Sequence, residues 1–162
     1  MDINEIKRHI EENEITFTNI FNSCENGYAI LQLPFEIPYK FRRYSDLGQY
    51  PDRYDYKILF AEKCVGMPEL TDAELTELLE GIFVKFNTDS RPTVEDNYYG
   101  TSLSVSDVII LKLNNKEYPY YVDSIGFKKI RNFNFNQRLN YDKTVTKGGF
   151  VYGIFFLDKG RT

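Results

Sequence analysis

The stretch from Thr71 to Phe86 constrains what this chain can fold into more than any other. Thr71 with Glu74 three residues on forms a capping box, in which the threonine hydroxyl accepts the third helical amide and the glutamate reaches back to the N-cap amide. Leu75, Leu78, Leu79, Ile82, Phe83 and Phe86 recur at i, i+3, i+4, i+7, i+8 and i+11, which lines them along one side of an α-helix. Such a helix is stable only when that side is covered, so the pattern predicts an amphipathic helix over 71–86 packed on a sheet. Asp72, Glu74, Glu77 and Glu80 fall on the remaining surface, a solvated acidic face and a candidate docking surface for a basic partner.

The sheet is legible in short β-branched and aromatic runs. Gly27-Tyr28-Ala29-Ile30-Leu31-Gln32-Leu33 stops at Pro34, Tyr54 to Cys64 alternates between Pro51 and Pro68, and Val108 to Leu113 is continuously apolar apart from Lys112. Asn114-Asn115 reads as a turn and Tyr118 to Val122 as the return strand, closing a β-hairpin. Ile15 to Phe21 reads as a further strand, after a short first helix over Asp2 to Asn13 in which Ile3, Ile6 and Ile10 share a side. One helical turn is expected at Tyr44-Ser45-Asp46-Leu47-Gly48, an exposed polar loop over Asn87 to Gly100, and a last strand over Phe150 to Leu157. The expected fold class is α+β: a mainly antiparallel sheet packed against one long amphipathic helix (71–86) plus a short N-terminal helix, in a single domain of 1–162.

With 162 residues, 42% of them hydrophobic, the chain has enough apolar surface for one core without disulfides or metals. Met1-Asp2-Ile3-Asn4-Glu5 lacks the basic and apolar start of an export signal, and no apolar run reaches the roughly 20 residues of a membrane-spanning helix. A cytoplasmic location without a membrane partner is expected. Cys24 and Cys64 match no metal-ligand or redox spacing and are expected as free thiols.

The formal net charge of −4 conceals a division along the chain. Residues 1–127 hold 12 Lys and Arg against 22 Asp and Glu, whereas residues 128–162 hold 8 against 2. Residues 131–162 thus form a basic C-terminal extension, expected to fold onto the core and either neutralise the acidic body or meet phosphate. In the second case Arg131, Arg138, Lys143 and Lys147 would contact phosphates while Phe133, Phe135 and Tyr141 stack on bases, a single-stranded RNA contact over 131–147.

Catalytic groups are scarce. His9 is the single histidine, and Lys7-Arg8-His9-Ile10 places it off the isoleucine side of the first helix, in solvent. No Gly-x-Ser-x-Gly turn, phosphate-binding loop or dinucleotide glycine pattern occurs, so neither a cofactor nor a resident metal is expected. Hydroxyls and carboxylates do collect in Ser102-Leu103-Ser104-Val105-Ser106-Asp107 and in Tyr121-Val122-Asp123-Ser124-Ile125-Gly126-Phe127. At strand ends such groups hold turns by bonding free backbone groups. The chemical alternative brings Asp107 and Asp123 together at one end of the hairpin, where two carboxylates could hold Mg²⁺ or act as acid and base.

The same blocks carry a resemblance. In order, Gly27 to Leu33, Tyr54-Asp55-Tyr56-Lys57-Ile58, Ile82-Phe83-Val84-Lys85-Phe86-Asn87, Ser102 to Val108 and Tyr121 to Phe127 resemble the YodL-like domain family, with residues 28–130 as its core. The first helix and the basic extension lie outside that pattern, and Thr101 stands where family members often have histidine. The resemblance implies a setting on conjugative elements, plasmids and phages, among proteins that protect incoming DNA from host defences. For this chain it implies a mobile-element or phage anti-defence role, in a family that has no settled enzymatic activity. The expected form is an anti-CRISPR inhibitor that binds a protein effector such as a CRISPR nuclease, or its guide RNA. Ser104, Ser106, Asp107, Tyr121, Asp123, Ser124 and Phe127 are then the candidate binding residues of the core. Two alternatives stay open: a metal-dependent nuclease acting on effector-bound RNA through Asp107 and Asp123, and a regulator of a host cytoskeletal protein.

Overall fold

The computed structural model describes residues 1–65 and 69–137. The turn at Pro68, the strand expected over Phe150 to Leu157, and Arg138, Tyr141, Lys143 and Lys147 lie outside the described residues. The chain forms two α-helices, α1 (Ile3–Ser23) and α2 (Asp72–Lys85), and five strands, β1 (Gly27–Gln32), β2 (Lys57–Lys63), β3 (Val108–Leu113), β4 (Lys116–Val122) and β5 (Phe127–Lys129). The strands make one antiparallel sheet in the order β2-β1-β3-β4-β5. The fold is therefore α+β, as expected. No helix among the described residues is long and apolar enough to cross a membrane, and Cys24 and Cys64 are free thiols.

The expected hairpin is present, and its turn follows from residue chemistry. Asn114 and Asn115 both sit in the left-handed region, at φ 51° and 67°, which matches the twist of a tight hairpin and which asparagine tolerates. The capping box at Thr71 and Glu74 also forms, with both of its hydrogen bonds made.

α1 departs from expectation. The short helix and the strand expected over Ile15–Phe21 are one helix of 21 residues, started by a capping box between Asp2 and Glu5. The longer helix is thus the N-terminal one, and α2, at 14 residues, is the shorter. Ile15, Phe17 and Phe21 suit a strand locally, and alternation would put all three on one face. In the helix, Phe17 and Phe21 are four residues apart and share the buried side, while Ile15 is 72% exposed. Tertiary burial of two phenylalanines outweighs local strand propensity.

Residues opposite one another across the ladder share a face of the sheet. One face carries Tyr28, Ile30, Phe60, Ile109 and Leu111, and α2 lies over it. Phe86, which follows the helix, meets Tyr28 and Phe60 edge-on at 6.3 and 5.8 Å, and Phe83 meets Phe127 at 6.3 Å. The opposite face carries Ala29, Val108, Ile110, Lys112 and Tyr121. The C-terminal end of α1 covers part of it, where the Lys112 ammonium donates to the carbonyl of Phe21 at 2.8 Å, a cation against the negative end of a helix. Phe135 stacks on Phe21 at 4.2 Å and Phe133 packs edge-on against Tyr56 at 5.5 Å, so the start of the basic extension completes this layer. The loop expected to be exposed over Asn87 to Gly100 is corrected in one respect: Tyr98 is buried against Phe60 and Phe86 and closes the core from the side.

The helical register of α1 makes a contrast that denaturation can read. Phe21→Ala is expected to lower stability by about 3–5 kcal/mol through the cavity it leaves, whereas Ile15→Ala stays within about 0.5 kcal/mol of the parent. Equal losses in urea-denaturation midpoints would contradict the packing of this helix.

Candidate functional site

Asp107 ends the turn that leads into β3 and is fully buried. Its Oδ2 accepts from the Ser104 amide at 2.9 Å and from the Gln32 side-chain amide at 3.1 Å, while Oδ1 has no hydrogen-bond partner among the described residues. Gln32, at the end of β1, clamps Thr101 from both sides: its Nε2 donates to the Thr101 carbonyl and its Oε1 accepts from the Thr101 amide, each at 3.1 Å. Gly100 fits over this clamp because a Cβ there would lie 2.6 Å from Gln32 Oε1. The Tyr98 hydroxyl donates to the same Thr101 carbonyl. One carboxylate thus organises the turn at 101–104 through an amide and a neighbouring side chain.

The other members of the cluster hold the loop at 41–44. Ser106 Oγ accepts from the Phe41 amide at 2.9 Å, the Tyr121 hydroxyl donates to the Arg42 carbonyl at 2.7 Å, and Asp123 Oδ1 accepts from the Tyr44 amide at 3.0 Å. Asp123 Oδ1 also accepts from the Ser124 amide at 2.8 Å. Phe41 and Ser106 both adopt positive φ, 71° and 87°, so the hydrogen bond between them joins two backbone positions that non-glycine residues rarely occupy. The buried Tyr56 hydroxyl donates to the Ser106 carbonyl at 2.6 Å and ties in the segment before β2.

Burial pushes the Asp107 carboxyl up to about 7, against the opposing pull of the Ser104 amide, the Lys40 ammonium and Gln32. A carboxyl poised near neutrality has the proton affinity of an acid–base catalyst, yet this one has no exposed surface from which to reach a substrate. Asp123 is half-buried and already accepts from two backbone amides. Among the described residues no group of three or more His, Cys, Asp or Glu side chains could hold a metal ion. The chemistry available to the cluster is hydrogen bonding to backbone, which sets the two loops at 101–104 and 41–44.

The remaining candidates separate by exposure. Ser104 and Phe127 are half-buried, Phe127 beneath α2, while Ser124 and Arg131 are exposed. Phe133 and Phe135 are buried, which gives their rings to the core and leaves no face for a base to stack on. Asp72, Glu74, Glu77 and Glu80 are all exposed, and only Glu74 has a local task, in the capping box. His9 is corrected from a solvent position: it is half-buried and stacked on Tyr99, with ring centroids 4.5 Å apart and planes 7° apart. Gln32, Lys40 and Tyr99 were missed as site residues. Phe35 and Phe41 flanking Lys40 in a polar stretch were the one visible signal for them.

Comparison with family models finds one match, to the YodL-like domain, over residues 27–133, which is more than half of the chain and spans β1 to Phe133. Curated proteins and solved structures gave no match.

Folding moves the Asp107 pKa from its ordinary value of 3.8 to about 7, so between those values the folded chain keeps a proton that the unfolded chain has lost. The stability this group contributes is therefore complete below the lower value, declines as pH rises, and is gone above the upper one. The slope approaches about 1.4 kcal/mol per pH unit. Asp107→Asn is expected to flatten that decline in urea-denaturation free energies measured from about pH 4 to about pH 8. An unchanged profile would place the titration elsewhere.

Proposed function

From the premise that the chain belongs to the YodL-like domain family, we propose that it is an anti-defence protein of a mobile element or phage that inhibits a nucleic-acid-handling effector, such as a CRISPR nuclease, by binding it. Inhibition of this kind is stoichiometric and needs no catalytic group, in keeping with a polar cluster engaged in holding loops. The observation that carries the reading is the outer face of α2. Glu74, Glu77 and Glu80 place three exposed carboxylates at three-residue spacing along roughly 9 Å of a capped helix, with Asp72 exposed in its first turn on the side nearer β4, and none of the four forms an ion pair among the described residues. A rigid row of negative charge complements a channel built to hold a phosphate backbone. Contact with guide RNA through residues 131–147 is the weaker arrangement, because Phe133 and Phe135 lie inside the core.

The experiment is inhibition of purified effector with its guide, read as cleavage of target nucleic acid against increasing amounts of this protein. Inhibition is expected to saturate at one inhibitor per effector and to weaken with salt. Glu77→Lys combined with Glu80→Lys is expected to weaken it by at least about tenfold without lowering the melting temperature. If the double variant inhibits as well as the parent, the acidic face is not the contact. Binding of the free protein to guide RNA alone would move the contact to the basic extension.

A further inference from the structure

The first half of α1, the segment after β1 and the residues around Tyr99 enclose a groove of about 400 Å³, far from the acidic face of α2 in sequence and built from different elements. Ligand pockets span about 300–1,000 Å³, so this volume suits a small molecule. Its apolar lining comes from Ile6 and Ile10 on α1, Leu33 after β1 and Leu59 on β2. Its shape is set by rigid parts: the His9–Tyr99 stack joins α1 to the 99–101 segment, and the Gln32–Thr101 clamp fixes one wall.

Two lysines of this wall, Lys40 and Lys57, form no ion pair among the described residues, and Lys40 is the one held between aromatic rings. Lys40 is half-buried, and its Nζ donates to the Leu33 carbonyl at 2.6 Å. The rings of Phe35 and Phe41 lie 5.1 and 4.8 Å from it, and these two phenylalanines are 66% and 54% exposed. The ammonium forms no ion pair among the described residues, whereas Lys7, also in the lining, is paired with Glu36 at 3.3 Å. Burial lowers the Lys40 pKa and only Asp107 opposes this, so the site holds a partly desolvated cation with donors to spare. Aromatic rings hold such a cation in place without neutralising it.

We propose that this groove binds a small amphipathic anion, its apolar body against Ile6, Ile10, Leu33 and Leu59 and its carboxylate or sulfonate at the Lys40 ammonium. The chemistry is a charge-assisted hydrogen bond in a low-dielectric wall beside an apolar trough. The site stands independently of the docking face on α2.

Two dyes of one skeleton test it on the full chain: 1-anilinonaphthalene-8-sulfonate, and N-phenyl-1-naphthylamine, which lacks the sulfonate. The sulfonate dye is expected to bind saturably with one site, and decanoate to displace it where decanol does not. Lys40→Met is expected to weaken the sulfonate dye by at least about tenfold and to leave the neutral dye unchanged. Lys57→Met, at a second lysine of the lining, is expected to have the smaller effect. Equal displacement by decanoate and decanol, equal loss of both dyes in Lys40→Met, or a larger loss in Lys57→Met would overturn the proposal, as would absence of saturable binding. The displacement arm uses the parent protein and decides the matter even if Lys40→Met does not fold.

Discussion

Strands β1 and β3 are buried along both faces, and nearly every other feature of the molecule answers that constraint. A sheet whose central pair is apolar on both sides needs a layer above and a layer below. α2 supplies one layer, with Phe86 wedged against Tyr28 and Phe60. The other is assembled from three separate pieces: the C-terminal end of α1, the connection before β2, and the segment that carries Phe133 and Phe135. Polar atoms trapped between these layers must find partners there, since an unpaired buried donor costs about 1–3 kcal/mol. Lys112 therefore reaches the end of α1, and Arg53 donates to the carbonyls of Phe135 and Tyr56.

Asp107 shows how the same constraint shapes the polar cluster. A carboxylate taken out of water is tolerated when amides surround it, and its Oδ2 receives two. The second oxygen has no partner among the described residues, and the group responds by binding its proton more tightly. Together with Ser106, Tyr121 and Asp123 it fixes loops that arrive from distant parts of the chain. The cluster is thus a device for loop placement. What it places includes Phe41, whose ring lies 4.8 Å from the ammonium of Lys40 in the groove wall.

The two surfaces proposed above for recognition differ in chemistry. The outer face of α2 offers exposed carboxylates on a regular scaffold, which suits a long-range electrostatic encounter with a basic macromolecule. The groove beside α1 offers apolar contact and the half-buried Lys40 ammonium, which suits short-range capture of a small anion. Asp107 lies behind the Gln32 clamp and acts on the groove only through its charge, which favours the ammonium form of Lys40.

Local chemistry was sufficient wherever neighbours in sequence settle the outcome. The capping box and stripe of α2, the Asn114-Asn115 hairpin and the run of β1 were all legible, because caps, turns and ladders are decided within a few residues. The order of the blocks from Gly27 to Phe127 was also enough to place the chain in its family. Tertiary structure decided the rest. Ile15 to Phe21 has strand-like composition, yet the burial of Phe17 and Phe21 makes it helix. The alternation of Phe133 and Phe135 reads equally as exposed stacking platform or buried anchor, and only the packing of the two rings against Phe21 and Tyr56 selects the second. Asp107 and Asp123 were visible as paired carboxylates, but each also takes a donor from far along the chain, Gln32 at 75 residues and Tyr44 at 79 residues of separation. A sequence records which groups a chain carries; burial and long-range pairing determine which of them are left free to act.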